Sequence, residues 1–228
     1  MRLTNMNTLR RLGALALLLP LVSLPAVAQK AAPPGTGDPF KDTAYFHPPA
    51  GEKIAIIEFQ DLECPACAHA FPIVHAAVAH YGIPLYEKDF PLRQHIWSFD
   101  AAIWARYLQD KVSLKVADEY RGAIFAAQQG IASKDDMLAF TRRFFSSHGI
   151  QAPFVIDPTG ALTKEVVAER TLGEKIGLQH TPTIIVCTAH EWVQVTDTND
   201  LYQTIDQLLA TVGGSSKPTV KHTSAKKH

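Results

Sequence analysis

Cysteine is scarce in this chain: three in 228 residues. That rules out a small scaffold stapled by disulfides, and an odd count leaves one thiol over whenever two are paired. Charge of one sign is also missing. Twenty-two basic residues balance 22 acidic ones, so there is no electrostatic footprint for nucleic acid. No internal repeat is visible, and no second C-x-x-C completes a zinc pattern. Long apolar runs are absent too. The longest candidate, Leu12 to Leu24, is interrupted by Gly13, Pro20 and Ser23 and falls short of the roughly 20 residues that span a bilayer.

That short run has a specific context. Arg2, Arg10 and Arg11 precede it, no acid occurs before Asp38, and Ala26-Val27-Ala28 follows it. A basic start, a short apolar stretch and an A-x-A site read as a secretory signal over 1–28, cut after Ala28. The remainder then carries 19 basic and 22 acidic residues, net −3. With 46% hydrophobic content over its 228 residues, the chain is long enough to build its own core. Residues 29–50, rich in Pro, Gly and Ala, read as a linker. Residues 214–228, with Lys217, Lys221, Lys226 and Lys227, read as a solvated basic tail.

Between them the pattern alternates. Ile54 to Phe59 is a near-continuous apolar run and reads as a buried strand. Pro65 to Tyr81 reads as a helix with Phe71, Val74, Val78 and Tyr81 on one face, bent at Pro72 and stopped by Gly82. Leu85 to Phe90 is a second strand. Helices follow over Ser98 to Asp110, Leu114 to Gln129, Ser133 to Phe145 and Pro158 to Ile176. Strands return at Thr183 to Cys187 and Glu191 to Thr196, and Asn199 to Val212 reads as a last amphipathic helix. The expected fold class is α/β: a central mixed sheet flanked by helices and interrupted by a helical insertion. The sheet domain is expected over 51–93 and 179–213, and the insertion over 94–178.

Cys64-Pro65-Ala66-Cys67 sits between the first strand and the first helix. A thiol pair spaced i, i+3 can close and reopen without large backbone movement. The first sulfur meets the positive end of the helix, which favours a thiolate. In an oxidising compartment the pair is expected to cycle or to stay bonded rather than bind metal. Cys64 is therefore the expected nucleophile and Cys67 the resolving thiol. Pro65 suits the first helical turn, where its missing N–H costs nothing. Glu58, on an otherwise apolar strand, is costly there unless solvated or used. Asp61 and Glu63 read as an exposed acidic loop, and His69, His75 and His80 as surface residues. Cys187 reads as a small core residue.

The segment Glu58-Phe59-Gln60-Asp61-Leu62-Glu63-Cys64-Pro65-Ala66-Cys67 resembles the active-site region of DsbA-like thiol–disulfide oxidoreductases of the thioredoxin superfamily. So do Asp89-Phe90-Pro91-Leu92 with His95, and Thr181-Pro182-Thr183 about 115 residues after the pair. The resemblance covers roughly Gly51 to Val212. It implies a thioredoxin-like fold with an inserted helical domain, and a cis Thr181–Pro182 bond that sets the Thr181 main chain against Cys64 to grip substrate. It also implies that Glu58 is a buried acid assisting proton movement at Cys67. It further implies a periplasmic monomer acting on unfolded exported proteins with free cysteines and reset by a membrane quinone-linked thiol oxidase. No cofactor, resident metal or nucleic acid is expected. Ala66 departs from the His or Tyr common at that position, which helps set thiolate stability. A reductase or isomerase, and a copper or zinc chaperone on the same scaffold, are the alternative readings.

Overall fold

A computed structural model describes residues 40–213. The expected signal and basic tail, and residues 29–39 of the expected linker, lie outside the described residues. The sheet is built from β1 (Ile54–Gln60), β2 (Leu85–Asp89), β3 (Thr183–Thr188) and β4 (Trp192–Val195). Their order is β2-β1-β3-β4. β1 and β2 run parallel, whereas β1–β3 and β3–β4 are antiparallel. This is the mixed sheet expected from the pattern.

β1 is buried at every position, because helices cover both faces of the sheet. Ile54 and Ile56 face α1 (Pro65–Tyr81) and α6 (Leu201–Thr211), packing with Val74, Ala77, Ile205 and Leu208. Ala55, Ile57 and Phe59 face the other way, toward Phe46, Phe90, Ile176 and Cys187. Phe46 belongs to the segment read as a linker. From Phe40 onward the chain packs on the sheet instead: Phe46 is buried, its ring meets Trp192, and Lys41 N donates to Ile176 O. Three aromatics in that stretch, Phe40, Tyr45 and Phe46, outweigh its loop-like Pro and Gly content.

The insertion comprises α2 (Ser98–Lys111), α3 (Leu114–Ala127), α4 (Lys134–Ser147) and the start of α5 (Ala161–Ile176). Ser113 and Ser133 cap α3 and α4 by accepting from Val116 N and Asp136 N. Trp97, Trp104, Tyr120, Ile124 and Phe145 form the centre of this part. α5 starts on α2 through Leu162 and Val166 but ends in the sheet core at Ile176.

α1 lies between the two cores, and that changes its buried face. Its buried residues are Cys67, Ala70, Val74 and Ala77, not the Phe71–Val74–Val78–Tyr81 stripe. Small residues let the helix approach the sheet closely, while Phe71 turns to the insertion. There it fits against Gly122, where a Cβ would lie 2.9 Å from the ring. Pro72 sits inside a helix that continues without interruption.

Candidate active site at the start of α1

Leu62, Cys64 and Cys67 are part of the insertion's apolar cluster, although the β1–α1 loop and α1 carry them. The dithiol therefore sits at the seam between sheet and insertion. Cys64 is the N-cap of α1, with extended φ and ψ of −82° and 119°, and Pro65 follows at the first helical position. No side chain caps this end, so its free backbone N–H groups are left to the sulfur.

The loop before β3 closes over that sulfur. The Thr181–Pro182 peptide bond is cis, and the Cys64 thiol donates to Thr181 O at 3.3 Å across 117 residues of sequence. The Cys64 pKa is lowered to about 5. A hydrogen bond from the Cys67 thiol contributes most, and the Thr181 side chain and the Cys67 and Ala66 backbone N–H groups overcome the opposing effect of burial. Thr181 Oγ1 is itself buried. Cys67 is fully buried. Burial, the Cys64 thiolate and Glu58 push its pKa well above the ordinary value, against one hydrogen bond from Asp61 N at 3.4 Å. One helix turn thus holds two thiols of opposite character.

Glu58 is fully buried, and neither carboxylate oxygen has a hydrogen-bond partner. Burial, reinforced by Glu87, raises its pKa to about 8. It belongs to a charged layer that the sequence reading missed. Arg121 on α3 holds Asp89 through both guanidinium nitrogens at 2.7 and 3.3 Å. Arg106 on α2 binds Asp89 at 2.6 Å and Glu169 at 2.5 Å. Glu87-Lys88-Asp89 was the available signal: three charges in one strand leave little room for an apolar face.

Three expectations need correction. Asp61 is buried rather than exposed: its carboxylate accepts from Leu92 N and Glu63 N and meets His95 Nδ1 at 2.8 Å. Those bonds tie the loop before Cys64 to the entry of the insertion. Glu63 accepts from Trp97 N and Ser98 N at 2.6 and 3.0 Å, neutralising free donors at the start of α2. His75 is not a plain surface residue, because its ring stacks on Phe71 and faces Glu87 and Asp118. His69 and His80 are exposed. Cys187 is buried in the sheet core, donates to Ala55 O, and has its pKa pushed up to about 12 by burial.

Beside the dithiol a cleft of about 530 Å³ opens between α1 and α3, lined by Pro65, Ala68, His69, Trp97 and Phe125. It is wide enough for an extended peptide side chain and partly apolar.

The sequence model of the family described as Thioredoxin matches residues 50–207. A search of curated proteins gave no significant match. Among solved structures, the fold is similar to the thiol-disulfide exchange protein alpha-DsbA2 of Wolbachia pipientis. That pair shares 20% identity and a TM-score of 0.54, over 72% of this chain and 86% of that one. The alpha-DsbA1 of the same organism is 16% identical with a TM-score of 0.58, over 73% and 90%. ScsC of Proteus mirabilis is 16% identical with a TM-score of 0.56, over 70% and 69%.

Proposed function

The chain belongs to the thioredoxin family, and from that premise we propose that it is an exported thiol–disulfide oxidoreductase whose Cys64–Cys67 couple oxidises other proteins. The observation that carries the reading is the inequality of the two thiols beneath the Thr181 carbonyl. A thiol that ionises readily is a good leaving group, and a stabilised thiolate makes the reduced form favourable.

In the oxidised protein a substrate thiolate attacks Cys64 Sγ. The Cys64–Cys67 bond breaks, a mixed disulfide forms, and Cys67 leaves with the electron pair. Because the Cys67 thiolate is strongly disfavoured in its buried setting, it takes a proton, and Glu58, itself protonated near neutral pH, is the acid supplied beneath it. The second substrate thiolate then attacks the substrate sulfur of the mixed disulfide. Cys64 departs as a thiolate, the substrate gains one disulfide, and the protein holds two electrons. A membrane quinone-linked thiol oxidase would remove them.

Thr181 O marks where an extended substrate backbone would pair beside Cys64, and the adjoining cleft would take its side chains. Cys67→Ala tests the scheme directly. With its Cys64 first activated as a disulfide with a small aromatic thiol, it should release that thiol and accumulate a Cys64 mixed disulfide with a reduced single-cysteine peptide, and Cys64→Ser treated in the same way should accumulate none. Equal trapping by both variants would reject it. A reduction potential near −120 mV marks an oxidant and one near −270 mV a reductant, on the scale of this superfamily. Export is tested by the mature N-terminus, expected at Gln29.

A further inference from the structure

Three elements each bring one metal-ligating side chain to a single point away from the thiols. His75 Nε2 on α1 lies 3.7 Å from Glu87 Oε1 on β2 and 3.5 Å from Asp118 Oδ1 on α3. The three ligand atoms all lie within 4.8 Å of one another. Donors bound tetrahedrally at about 2.0–2.2 Å from a zinc ion sit roughly 3.3–3.6 Å apart. Two of the distances are therefore close to a coordination sphere already. Asp118, 45% exposed on its side chain, is free to adjust the third.

A second observation points the same way. His75 Nε2 is shielded from solvent and no group lies at full hydrogen-bonding distance from it, its nearest polar neighbours being the two carboxylates themselves. Its ring is held in place by Phe71, with centroids 3.9 Å apart. Glu58, the cross-strand partner of Glu87, is fully buried with both oxygens unpartnered. Gln60 Nε2 donates to Glu87 Oε1 at 2.9 Å, the kind of outer hydrogen bond that orients a ligating carboxylate.

Two cations oppose a metal here, and neither closes the site. Arg121 approaches Glu87 from its other oxygen, Oε2, at 3.7 Å, and its guanidinium is committed to Asp89. Lys115 lines the opening but is 85% exposed and pairs with Glu119. The point also opens on a cleft of about 340 Å³ lined by Val78, Leu85, Gln109 and Leu114, which gives water access to the remaining coordination positions.

We propose that His75, Glu87 and Asp118 form a binding site for a borderline divalent cation of the zinc class, clipping α1 and β2 to α3 of the insertion. One imidazole and two carboxylates suit zinc, whereas calcium and magnesium favour all-oxygen shells of six or more ligands. The site does not involve the dithiol. Its ligands join the sheet domain to the insertion, so a bound ion stabilises the seam on which the active site stands.

The test uses the full chain with the Cys64–Cys67 disulfide closed, so that thiols cannot bind metal, and titrates zinc alone by calorimetry. One equivalent should bind, raising Tm. His75→Ala and Asp118→Asn should each weaken that binding at least tenfold and abolish the rise in Tm. Asp118 is part-exposed, so its variant keeps the fold even if His75→Ala disturbs the contact with Phe71. Absence of binding, or equal affinity in the parent and both variants, overturns the proposal. So does binding that appears only after reduction and vanishes in Cys64→Ser, which would assign the metal to the thiols.

Discussion

Glu58 and Glu87 are direct partners across the parallel β1–β2 pair, yet only Glu87 is ionised at neutral pH. Burial acts on both. His75, Arg121 and Gln60 outweigh it at Glu87, whose pKa falls below the ordinary carboxylate value. At Glu58 nothing outweighs it. Two facing carboxylates of one layer thus divide into a neutral and an ionised member at neutral pH.

That division is visible in stability against pH. Glu58 holds its proton up to about pH 8 when folded, against 4.5 as its ordinary value. The folded state therefore binds more protons through that window, and stability falls as pH rises from about 4.5 to 8. Glu58→Gln removes the effect. With the disulfide closed in both proteins, urea denaturation should show the parent losing on the order of several kcal/mol relative to the variant across that range. Parallel pH profiles would contradict the assignment.

Cys67 is the largest contributor to the low pKa of Cys64. Cys67→Ala should therefore move the pH midpoint of Cys64 alkylation upward by at least about one unit, equivalent to about 1.4 kcal/mol. A midpoint unchanged by the substitution would mean that the helix N–H groups and Thr181 suffice by themselves.

Asp61 anchors the loop ahead of the thiols. Asp61→Ala leaves Leu92 N and Glu63 N without their acceptor and should lower stability by about 2–3 kcal/mol. Chemical denaturation measures this, and a loss below about 0.5 kcal/mol would show that the contacts are dispensable.

Arg121 is the buried centre of the charged layer. Arg121→Met removes its two bonds to Asp89 and its approach to Glu87, leaving Arg106 alone on Asp89. The expected cost is about 3–5 kcal/mol, as for breaking a buried pair from one side. A neutral outcome would mean the layer relaxes or hydrates.

The elements that were legible in the sequence are those with a local signature. β1 showed as an apolar run, α1 was bounded by Pro65 and Gly82, and its observed limits match the expected Pro65–Tyr81. Ser133, which caps α4, marks a start in the same way. What escaped was set by distant packing. Asp61 looks like a loop acid until Leu92 and His95 fold over it, 31 and 34 residues away. His75 looks like a surface histidine until Asp118 of the insertion arrives beside it. The small-residue face of α1 reflects a second core on its other side, which no helical periodicity can report. The Cys64–Thr181 contact was reached through the family resemblance, since 117 residues separate its partners.

The pH dependence of Cys64 alkylation in the reduced protein, with Cys64→Ser as the control, tests the central claim most directly. The account predicts a single titration with a midpoint near pH 5. A midpoint near 9, the ordinary thiol value, would show that neither the helix start nor the Thr181 loop stabilises the sulfur, and would contradict it.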